Sequence, residues 1–320
     1  MPRPSILVTW RLPSAVLARL EHVGELDVYH GSTDLAHAEL CVRVRDKQAL
    51  ISLVTNRVDR EVIDAGTGLR IIANVGVGYN NIDADYARER GVVVTNTPDV
   101  LTDATADLTW ALILAVTRRV CEGDRLVRSG GWKGWKLDFM LGTQLNGKQL
   151  GIVGMGRIGQ AVAKRAQAFG MNIAFTSRRQ PAGEGAGRLP LDQLLMSSDV
   201  VSLHVPLSSE TRHLIDQRAL VRMKRSAYLV NTSRGPVVDE DALAWALRER
   251  VISGAALDVY ENEPAVHPDL IKLENVVLAP HLGSGTAETR TGMADLAASN
   301  VIAVLTGKPP LTPIKTEGVA

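Results

Sequence analysis

The chain has 320 residues, of which 45 % are hydrophobic and 22 % are charged, and its formal net charge is +1. This length exceeds the size at which one hydrophobic core usually stops growing, so we expect two domains. The near-zero charge argues against a nucleic-acid-binding protein, which needs a clustered basic surface. No apolar run is long enough to span a membrane, and the N-terminal run is too short for a signal peptide. We therefore expect a cytoplasmic protein with no membrane partner.

The cysteine pattern gives no sign of a disulfide or a metal site. Both cysteines, Cys41 and Cys121, lie among apolar neighbours in helix-like segments. Such cysteines are usually small buried hydrophobes in a reducing compartment. Because no CxxC or HExxH motif is present, we predict that no metal is bound.

Short apolar runs alternate with amphipathic segments through the first third of the chain. Buried parallel strands are predicted at Ile6–Trp10, Ala49–Leu53, Leu69–Val75 and Val92–Thr95. Helices are predicted at Ser14–Leu20, Arg60–Ala65 and Ile82–Arg90. This alternation predicts an α/β domain with right-handed crossovers. The pattern breaks near Pro98, so we assign residues 1–98 to the first part of a substrate domain.

A second α/β series follows a long apolar helix predicted at about Ala104–Val120. Its strands are predicted at Gln149–Val153, Asn172–Thr176, Val200–Leu203, Ala227–Asn231, Gly254–Leu257 and Val276–Leu278. Six strands are the number in a full doubly wound dinucleotide-binding sheet, so we assign residues 99–283 to such a domain. Residues 284–320, with a last helix at about Ala287–Leu305, are predicted to return to the substrate domain and complete it.

A GxGxxG motif directly follows the first strand of this second series and opens a helix, which is the context that its mechanism requires. Its residues are Gly154, Met155, Gly156, Arg157, Ile158 and Gly159. The glycines permit a tight turn, a close approach of pyrophosphate to the backbone, and close packing of helix on strand. The N–H groups and the dipole of the helix N-terminus favour anions. We therefore predict that this turn binds the phosphates of a dinucleotide.

The tip of the next strand bears on the choice between NAD and NADP. An NAD site usually carries an acidic residue there, about 20 residues beyond the motif. This chain has Ser177, Arg178 and Arg179 at the tip. Arginine suits a 2′-phosphate because its planar fork donates two parallel hydrogen bonds. We predict that NADP(H) is preferred over NAD(H); the alternative interpretation is a solvated basic loop.

Three polar residues, Arg234, Glu263 and His281, follow three successive strands of the second series. Ligands of open α/β sheets bind beyond the carboxyl ends of the strands. Arginine can hold a carboxylate bidentately and polarise the neighbouring carbonyl. Histidine can donate a proton to the carbonyl oxygen, and a carboxylate behind it can fix its tautomer and stabilise its protonated form. Together the three residues predict the reduction of a small 2-keto acid.

Six segments along nearly the whole chain carry a family resemblance: ANVGVGYNNID, GIVGMGRIGQAVA, HVPLSSETRHLI, VNTSRGPVVDEDAL, GAALDVYENEP and VVLAPHLGSGT. They resemble the D-isomer-specific 2-hydroxyacid dehydrogenases, and among them the glyoxylate/hydroxypyruvate reductase branch. The resemblance implies two Rossmann-like domains, a flavodoxin-like substrate domain and the dinucleotide-binding domain, with the active site in the cleft between them. It also implies a homodimer.

The resemblance assigns roles to individual residues. It implies that Arg234, Glu263 and His281 are the catalytic set. The backbone N–H groups of Val75 and Gly76 are implied to bind the substrate carboxylate. In the cofactor site, the resemblance places Asp258 near the nicotinamide carboxamide, with Thr232, its neighbour Ser233, and Gly283 around it. The segment from Trp132 to Phe139 resembles the family's dimer arm, and forms either a wall of the partner subunit's site or ordinary interface packing.

Several related classes of protein are alternatives. Formate dehydrogenases carry an amide at the position of Glu263, because formate has no carbonyl to protonate, so the carboxylate argues against that class. An NAD-dependent 2-hydroxyacid or phosphoglycerate-type dehydrogenase and a phosphite dehydrogenase share a similar triad. A non-enzymatic, dinucleotide-sensing protein of the corepressor type could keep all three residues, although no recruitment motif is visible. The preferred 2-keto acid depends on the shape of the pocket and is not predicted.

Overall fold

The computed structural model describes residues 3–178 and 187–314. The described chain divides into two compact units. One contains the residues up to Leu101 together with those from Thr286 onward, and the other spans Thr102–Gly285. The division inferred from the sequence, after residues 98 and 283, differs from this one by a few residues. Within the described ranges, no helix is both long and apolar enough to cross a membrane.

Helices and strands alternate in both units. The strands, in chain order, are β1 (Ser5–Val8), β2 (Glu25–Val28), β3 (Ala49–Leu53), β4 (Ile71–Val75), β5 (Val93–Thr95), β6 (Gln149–Val153), β7 (Asn172–Thr176), β8 (Gly187–Arg188), β9 (Val200–Leu203), β10 (Tyr228–Asn231), β11 (Gly254–Leu257) and β12 (Val276–Leu278). The helices are α1 (Ser14–Glu21), α2 (His37–Arg43), α3 (Arg60–Ala65), α4 (Ala84–Glu89), α5 (Thr102–Thr117), α6 (Val120–Arg128), α7 (Arg157–Ala168), α8 (Leu191–Ser197), α9 (Gln217–Arg222), α10 (Glu240–Arg248), α11 (Pro268–Ile271) and α12 (Ala287–Leu305).

The first unit is built on a parallel sheet with the strand order β2-β1-β3-β4-β5. This is the flavodoxin-like order, as the family resemblance implied. Successive side chains of a strand point to opposite faces of the sheet. Accordingly, Leu50 and Ile72 pack with α2, α3 and α4, whereas Ile51 and Ile71 pack with α1 and α12. Because both faces are covered, the central strands are continuous apolar runs, which is why the sequence revealed them.

The edge strand β2 was missed by the sequence pattern. Its sequence is ELDV, and none of its residues is fully buried. An edge strand pairs on one side only and tolerates charged side chains, so it lacks the apolar run that marks a central strand. Its presence completes the five-stranded sheet without changing the fold class.

The second unit contains a parallel sheet with the order β12-β11-β10-β9-β6-β7-β8. All six strands predicted for this region are present, and the two-residue strand β8 was missed because it is too short to form an apolar run. The strand order reverses between β6 and β9, and ligands of such sheets bind beyond the strand ends at that switch point. This confirms a doubly wound α/β architecture.

The long helix predicted at Ala104–Val120 is two helices. The first, α5, ends at Thr117, and Arg119 takes a left-handed conformation with φ of 56° before α6 begins at Val120. A residue in that region cannot continue a right-handed helix. The side chains of α5 pack against α7 and the strands β10 and β11, so α5 lies over one face of the second sheet and contributes to its core.

Candidate active site

The three residues predicted to be catalytic follow three neighbouring strands of the second sheet. Arg234 follows β10, Glu263 follows β11 and His281 follows β12, and these strands pair in parallel in that order. Parallel pairing brings their carboxyl ends to the same edge of the sheet. At that edge, Nδ1 of His281 lies 2.8 Å from Oε2 of Glu263, so the two side chains are hydrogen-bonded. The ring nitrogen Nε2 takes no part in this hydrogen bond.

The Glu263 carboxylate is held by two donors. Its Oε2 binds the histidine, and its Oε1 accepts a hydrogen bond of 2.9 Å from the backbone N–H of Tyr260. Burial favours the neutral acid, but the hydrogen bond and charge of His281 and the Tyr260 N–H outweigh it, so the pKa of Glu263 lies below its ordinary value. The carboxylate is therefore ionised at neutral pH and can stabilise a protonated imidazole.

Tyr260 ties the loop of Glu263 to the strand end of His281. Its hydroxyl donates a hydrogen bond of 2.9 Å to the carbonyl oxygen of Ala279, and burial raises its pKa to about 12, so it stays a donor at neutral pH. A second restraint comes from buried Glu240, whose Oε1 accepts the N–H of Glu261 at 3.0 Å. These contacts give the loop a defined geometry.

Arg234 sits on a turn that Asn231 organises. The Asn231 Oδ1 accepts from both the N–H and the hydroxyl of Ser233, at 3.0 and 2.8 Å, and its Nδ2 donates to the carbonyl of Arg234 at 3.0 Å. Burial lowers the pKa of the Arg234 guanidinium, and the nearby Glu263 carboxylate partly offsets the effect. An arginine retains its charge under such conditions, so the site holds a fixed cation.

The turn of Arg234 approaches the loop of Glu263 very closely at Gly235. A Cβ on Gly235 would lie 1.8 Å from the carbonyl carbon of Tyr260. No side chain fits at that distance, so only glycine allows the two segments to pack in this way. The guanidinium and the carboxylate are thus brought together by backbone packing.

Asp258 shapes the loop that carries His281. Its carboxylate accepts the N–H of Leu282 at 2.6 Å and of Gly283 at 2.8 Å, and its carbonyl accepts the N–H of His281 at 2.9 Å. His281 has a left-handed conformation with φ of 53°, which is uncommon for a residue with a side chain. Burial raises the pKa of Asp258, and the two N–H donors oppose that effect. We infer that Asp258 holds the histidine in this conformation.

The other residues expected around the nicotinamide lie close to α5. The Thr232 hydroxyl is 2.9 Å from that of Thr109, and the carbonyl of Gly283 accepts from the hydroxyl of Thr105 at 3.0 Å. Helix α5 therefore packs directly beneath the turn after β10 and the loop after β12. The sequence pattern did not single out these two threonines of α5.

The GxGxxG turn has the geometry of a phosphate-binding turn. Gly154 has a φ of 101°, and a Cβ on it would lie 2.7 Å from the backbone of His204. A Cβ on Gly156 would meet open space, and Gly156 is the residue before α7. No side chain caps α7 and no acidic residue lies in its first turn. These features fit a dinucleotide whose phosphates lie on the helix N-terminus.

The tip of β7 carries an ion pair that the sequence analysis did not foresee. Arg178 Nη1 lies 3.3 Å from Oε2 of Glu210, and both side chains are about 70 % exposed, at 71 and 69 %. The carbonyl of the neighbouring Ser177 accepts from Arg188 at 2.8 Å. Arg179, the third predicted contact of a 2′-phosphate, lies outside the described residues. Any phosphate that binds Arg178 has to compete with Glu210.

Val75 and Gly76, the predicted carboxylate-binding residues, lie in the first unit at the carboxyl end of β4. Gly76 is buried, and its carbonyl accepts the N–H of Thr97 at 3.0 Å. In the part of the chain that the structure describes, the N–H groups of Gly76, Val77 and Gly78 donate to no other protein group. Polar groups of this kind usually find a partner, so the turn offers donors for an anion.

Sequence reasoning missed several residues that contact the candidate site residues or their loops. Asn231 orients the turn of Arg234, Tyr260 and Glu240 restrain the loop of Glu263, and Glu210 pairs with Arg178. Each of these is a common polar residue, and Glu240 and Glu210 act on partners distant in sequence, 21 and 32 residues away. Only Asn231 carried a signal, since asparagine often organises turns through its own side chain.

The segment around Trp135 presents apolar side chains to solvent. Trp135 is 78 % exposed and Leu137 is 81 % exposed, and Trp132, Phe139 and Leu141 are also exposed. A contiguous exposed apolar segment is unusual on a monomeric protein and is typical of an interaction surface.

Comparison with known proteins identifies the family of this chain. The model of the D-isomer specific 2-hydroxyacid dehydrogenase NAD-binding domain matches residues 110–283. A glyoxylate reductase of Thermococcus onnurineus is 48 % identical over 323 residues, which covers 98 % of this chain and 97 % of that protein.

Solved structures show the same fold. The structure of a protein from Thermus thermophilus matches with a TM-score of 0.92 and 48 % sequence identity. The match covers 97 % of this chain and 100 % of that chain. An NADPH-dependent glyoxylate/hydroxypyruvate reductase of Sinorhizobium meliloti, solved with NADP and malonate, has a TM-score of 0.88 and 35 % identity, covering 98 % of this chain and 97 % of its own. The chain therefore belongs to the D-isomer specific 2-hydroxyacid dehydrogenase family of NAD(P)-dependent oxidoreductases, in the branch that contains these glyoxylate reductases.

Proposed function

We propose that this protein reduces a small 2-keto acid, glyoxylate or hydroxypyruvate, to the corresponding D-2-hydroxy acid with NADPH as the reductant. The observation that carries the proposal is the 2.8 Å hydrogen bond between His281 and Glu263, with the half-buried guanidinium of Arg234 close enough to act electrostatically on Glu263. An acid supported by a carboxylate and a fixed cation are the groups that the reduction of a 2-keto acid requires.

Each catalytic side chain has a distinct task in this proposal. Nε2 of protonated His281 donates its proton to the keto oxygen as the hydroxyl forms. Glu263, bound to Nδ1, fixes the tautomer and stabilises the imidazolium, as the third member does in triad-like sites. Arg234 binds the substrate carboxylate and polarises the carbonyl, and the charge it presents is already in place before the reaction.

The substrate carboxylate has a second set of donors in the proposal. The backbone N–H groups of Val75 and Gly76 bind it, together with Arg234. The N–H of Gly76 has no protein acceptor among the described residues, which supports this role. A carboxylate held by several N–H donors is fixed in orientation, and fixed orientation contributes to the rate by keeping the keto carbon in the reacting geometry.

The cofactor is a nicotinamide dinucleotide, which when bound supplies the hydride. Residues 154–159 hold its phosphates, and Thr232, Ser233, Asp258 and Gly283 lie around the nicotinamide in the proposal. Ser177, Arg178 and Arg179 favour NADP(H) over NAD(H). The exposure of Arg178 and its pairing with Glu210 suggest a moderate preference, because exposed ion pairs contribute little.

A homodimer is part of the proposal. The exposed apolar side chains around Trp135 and Leu137 would be covered by a second copy of the chain. Light scattering of the wild type should give twice the chain mass, and the double variant Trp135→Ser with Leu137→Ser should give a larger monomer fraction. A monomeric wild type would contradict this part of the proposal.

The activity is tested with a panel of 2-keto acids, each assayed with NADPH and with NADH. The proposal requires turnover of glyoxylate or hydroxypyruvate, with the higher kcat/KM for NADPH. Turnover of phosphohydroxypyruvate alone, or a preference for NADH, would favour the phosphoglycerate-type or NAD-dependent alternatives. Binding of NADPH without turnover of any keto acid would favour a non-enzymatic dinucleotide sensor.

A further inference from the structure

A cluster of metal-ligating side chains lies in the first unit, and none of its members belongs to the candidate active site. His37 and Cys41 are four residues apart on α2, a spacing that places two side chains on one helix face. Glu61 lies in the first turn of α3. The ligand atoms of these three residues all lie within 4.8 Å of one another, and Cys41 Sγ is 4.0 Å from His37 Nδ1.

The histidine of this cluster is already oriented as a metal ligand would be. Its Nε2 is 3.1 Å from Oδ1 of Asp59, which leaves Nδ1 directed toward Cys41. A ligating histidine almost always binds a carboxylate or carbonyl through its other nitrogen, which fixes the ring and its tautomer. Asp59 is itself fixed, because it caps α3 at the N–H of Val62 and pairs with Arg57 at 2.7 Å.

The charges around Cys41 favour a cation. The thiol is buried, with 8 % of the residue exposed. The carboxylates of Glu61 and Asp59 are the negative charges that act on this thiol, and Arg45 is the opposing positive charge. A divalent cation in the cluster would be attracted by both carboxylates and would stabilise the thiolate.

We propose that His37 Nδ1, Cys41 Sγ and the Glu61 carboxylate bind a thiophilic divalent cation of the Zn²⁺ class, with Asp59 orienting the histidine. Nitrogen, sulfur and carboxylate oxygen are the ligands that zinc takes in proteins, and three protein ligands leave a fourth position for water. Ligand atoms around one tetrahedral zinc are about 3.5 Å apart, so small side-chain rotations close the cluster onto the ion.

Binding would couple two helices and release a proton. The cation replaces the proton of the Cys41 thiol, which leaves to solvent, so affinity rises with pH. Because two ligands come from α2 and one from α3, the ion joins the two helices and stabilises the native first unit through its binding free energy. No CxxC or HExxH motif marks this cluster in the sequence, because the third ligand comes from a different helix.

The test is a titration of the metal-free full-length chain with Co²⁺, whose bond to a thiolate gives an intense near-ultraviolet charge-transfer band. We expect one Co²⁺ per chain, a band in the wild type, its displacement by Zn²⁺, and a higher Tm in the presence of Zn²⁺. The band should be lost in Cys41→Ser and retained in the matched control Cys121→Ser, which removes the other free cysteine.

A second variant keeps the test decisive if Cys41→Ser folds poorly. Glu61→Gln changes an exposed side chain, and it should keep the band but raise the Kd for Co²⁺ by at least about tenfold. No band in the folded wild type would overturn the proposal. So would a band that survives in folded Cys41→Ser, or one that disappears in Cys121→Ser, since either result places the thiolate elsewhere.

Discussion

The hydroxyl of Tyr260 donates a hydrogen bond of 2.9 Å to the carbonyl oxygen of Ala279, just before His281 in the chain. The backbone N–H of the same tyrosine binds Oε1 of Glu263 at 2.9 Å. One residue thus fixes both the loop of the carboxylate and the strand end that leads to the histidine. We infer that this connection helps to set the distance between the side chains of Glu263 and His281.

The first prediction follows from that connection. Tyr260→Phe keeps the ring and removes only the hydroxyl, which leaves the half-buried Ala279 carbonyl with the N–H of His281, at 3.2 Å, as its remaining donor. We expect the free energy of unfolding to fall by about 0.5–1.5 kcal/mol, the net contribution of one hydrogen bond. We also expect kcat to fall several-fold with little change in the KM for NADPH, because the acid is less well positioned. A loss of stability with unchanged kcat and unchanged pH profile would show that the hydroxyl is only structural.

The second prediction concerns the pH dependence of keto-acid reduction. The pKa of Glu263 is below its ordinary value because of the hydrogen bond and charge of His281, so its carboxylate is charged at neutral pH and stabilises the imidazolium. Reduction requires the protonated histidine, so its rate falls as pH rises. In Glu263→Gln the charge is lost, and this fall should begin at lower pH.

The measurement is the pH profile of kcat/KM for glyoxylate in the wild type, Glu263→Gln and Glu263→Asp. The aspartate variant keeps the charge and should keep more of the high-pH activity than the glutamine variant. Profiles that coincide in all three proteins would mean that Glu263 does not support the acid.

The third prediction concerns the anchor for the substrate carboxylate. Arg234→Lys keeps the charge but loses the planar fork, so it is not a conservative change at a bidentate site. We expect a large rise in KM for the keto acid and a lower kcat. Arg212→Lys is the matched control, since Arg212 is exposed and has no part in the proposed site. Equal effects of the two substitutions would indicate that Arg234 has only a structural role.

The fourth prediction is the cofactor preference. Ser177→Asp combined with Arg178→Ala should lower kcat/KM for NADPH steeply, while that for NADH is retained or improved, because an aspartate repels the 2′-phosphate and binds free ribose hydroxyls. A charge-assisted hydrogen bond to phosphate contributes about 1.5–3 kcal/mol. Because the Arg178 side chain is exposed, salt screens its interaction, and we expect its contribution to lie near the lower of these values.

The ion pair of Arg178 with Glu210 at the tip of β7 provides the control for this prediction. Glu210→Gln removes the charge that competes for Arg178, so the KM for NADPH should fall modestly and that for NADH should not change. The preference should also narrow as ionic strength rises. If the ratio of kcat/KM for NADPH to kcat/KM for NADH is the same in the wild type and in these variants, the residues at the tip of β7 form only a solvated basic loop.

Features that are encoded within one continuous segment could be predicted from the sequence. The order of strands and helices, the GxGxxG turn and the three residues after β10, β11 and β12 could be recognised locally, because apolar runs and glycine spacing mark them. The pairing of His281 with Glu263 could be anticipated from complementary chemistry.

Features that depend on contacts distant in sequence could not be predicted. The ion pair of Arg178 and Glu210 and the cluster of His37, Cys41 and Glu61 join segments that only the fold brings together. The break at Arg119 was missed because apolar residues resume at Val120 and Cys121 directly after it, and a left-handed arginine leaves no pattern in the sequence.

The most direct test of the proposed reaction is the turnover number of His281→Ala in glyoxylate reduction with saturating NADPH. The account predicts a fall in kcat of roughly two to four orders of magnitude, the contribution of a positioned proton donor, with the Kd for NADPH unchanged. The exposed histidine variant His30→Ala, as a control, should retain wild-type turnover. A folded His281→Ala protein with near wild-type kcat would contradict the account.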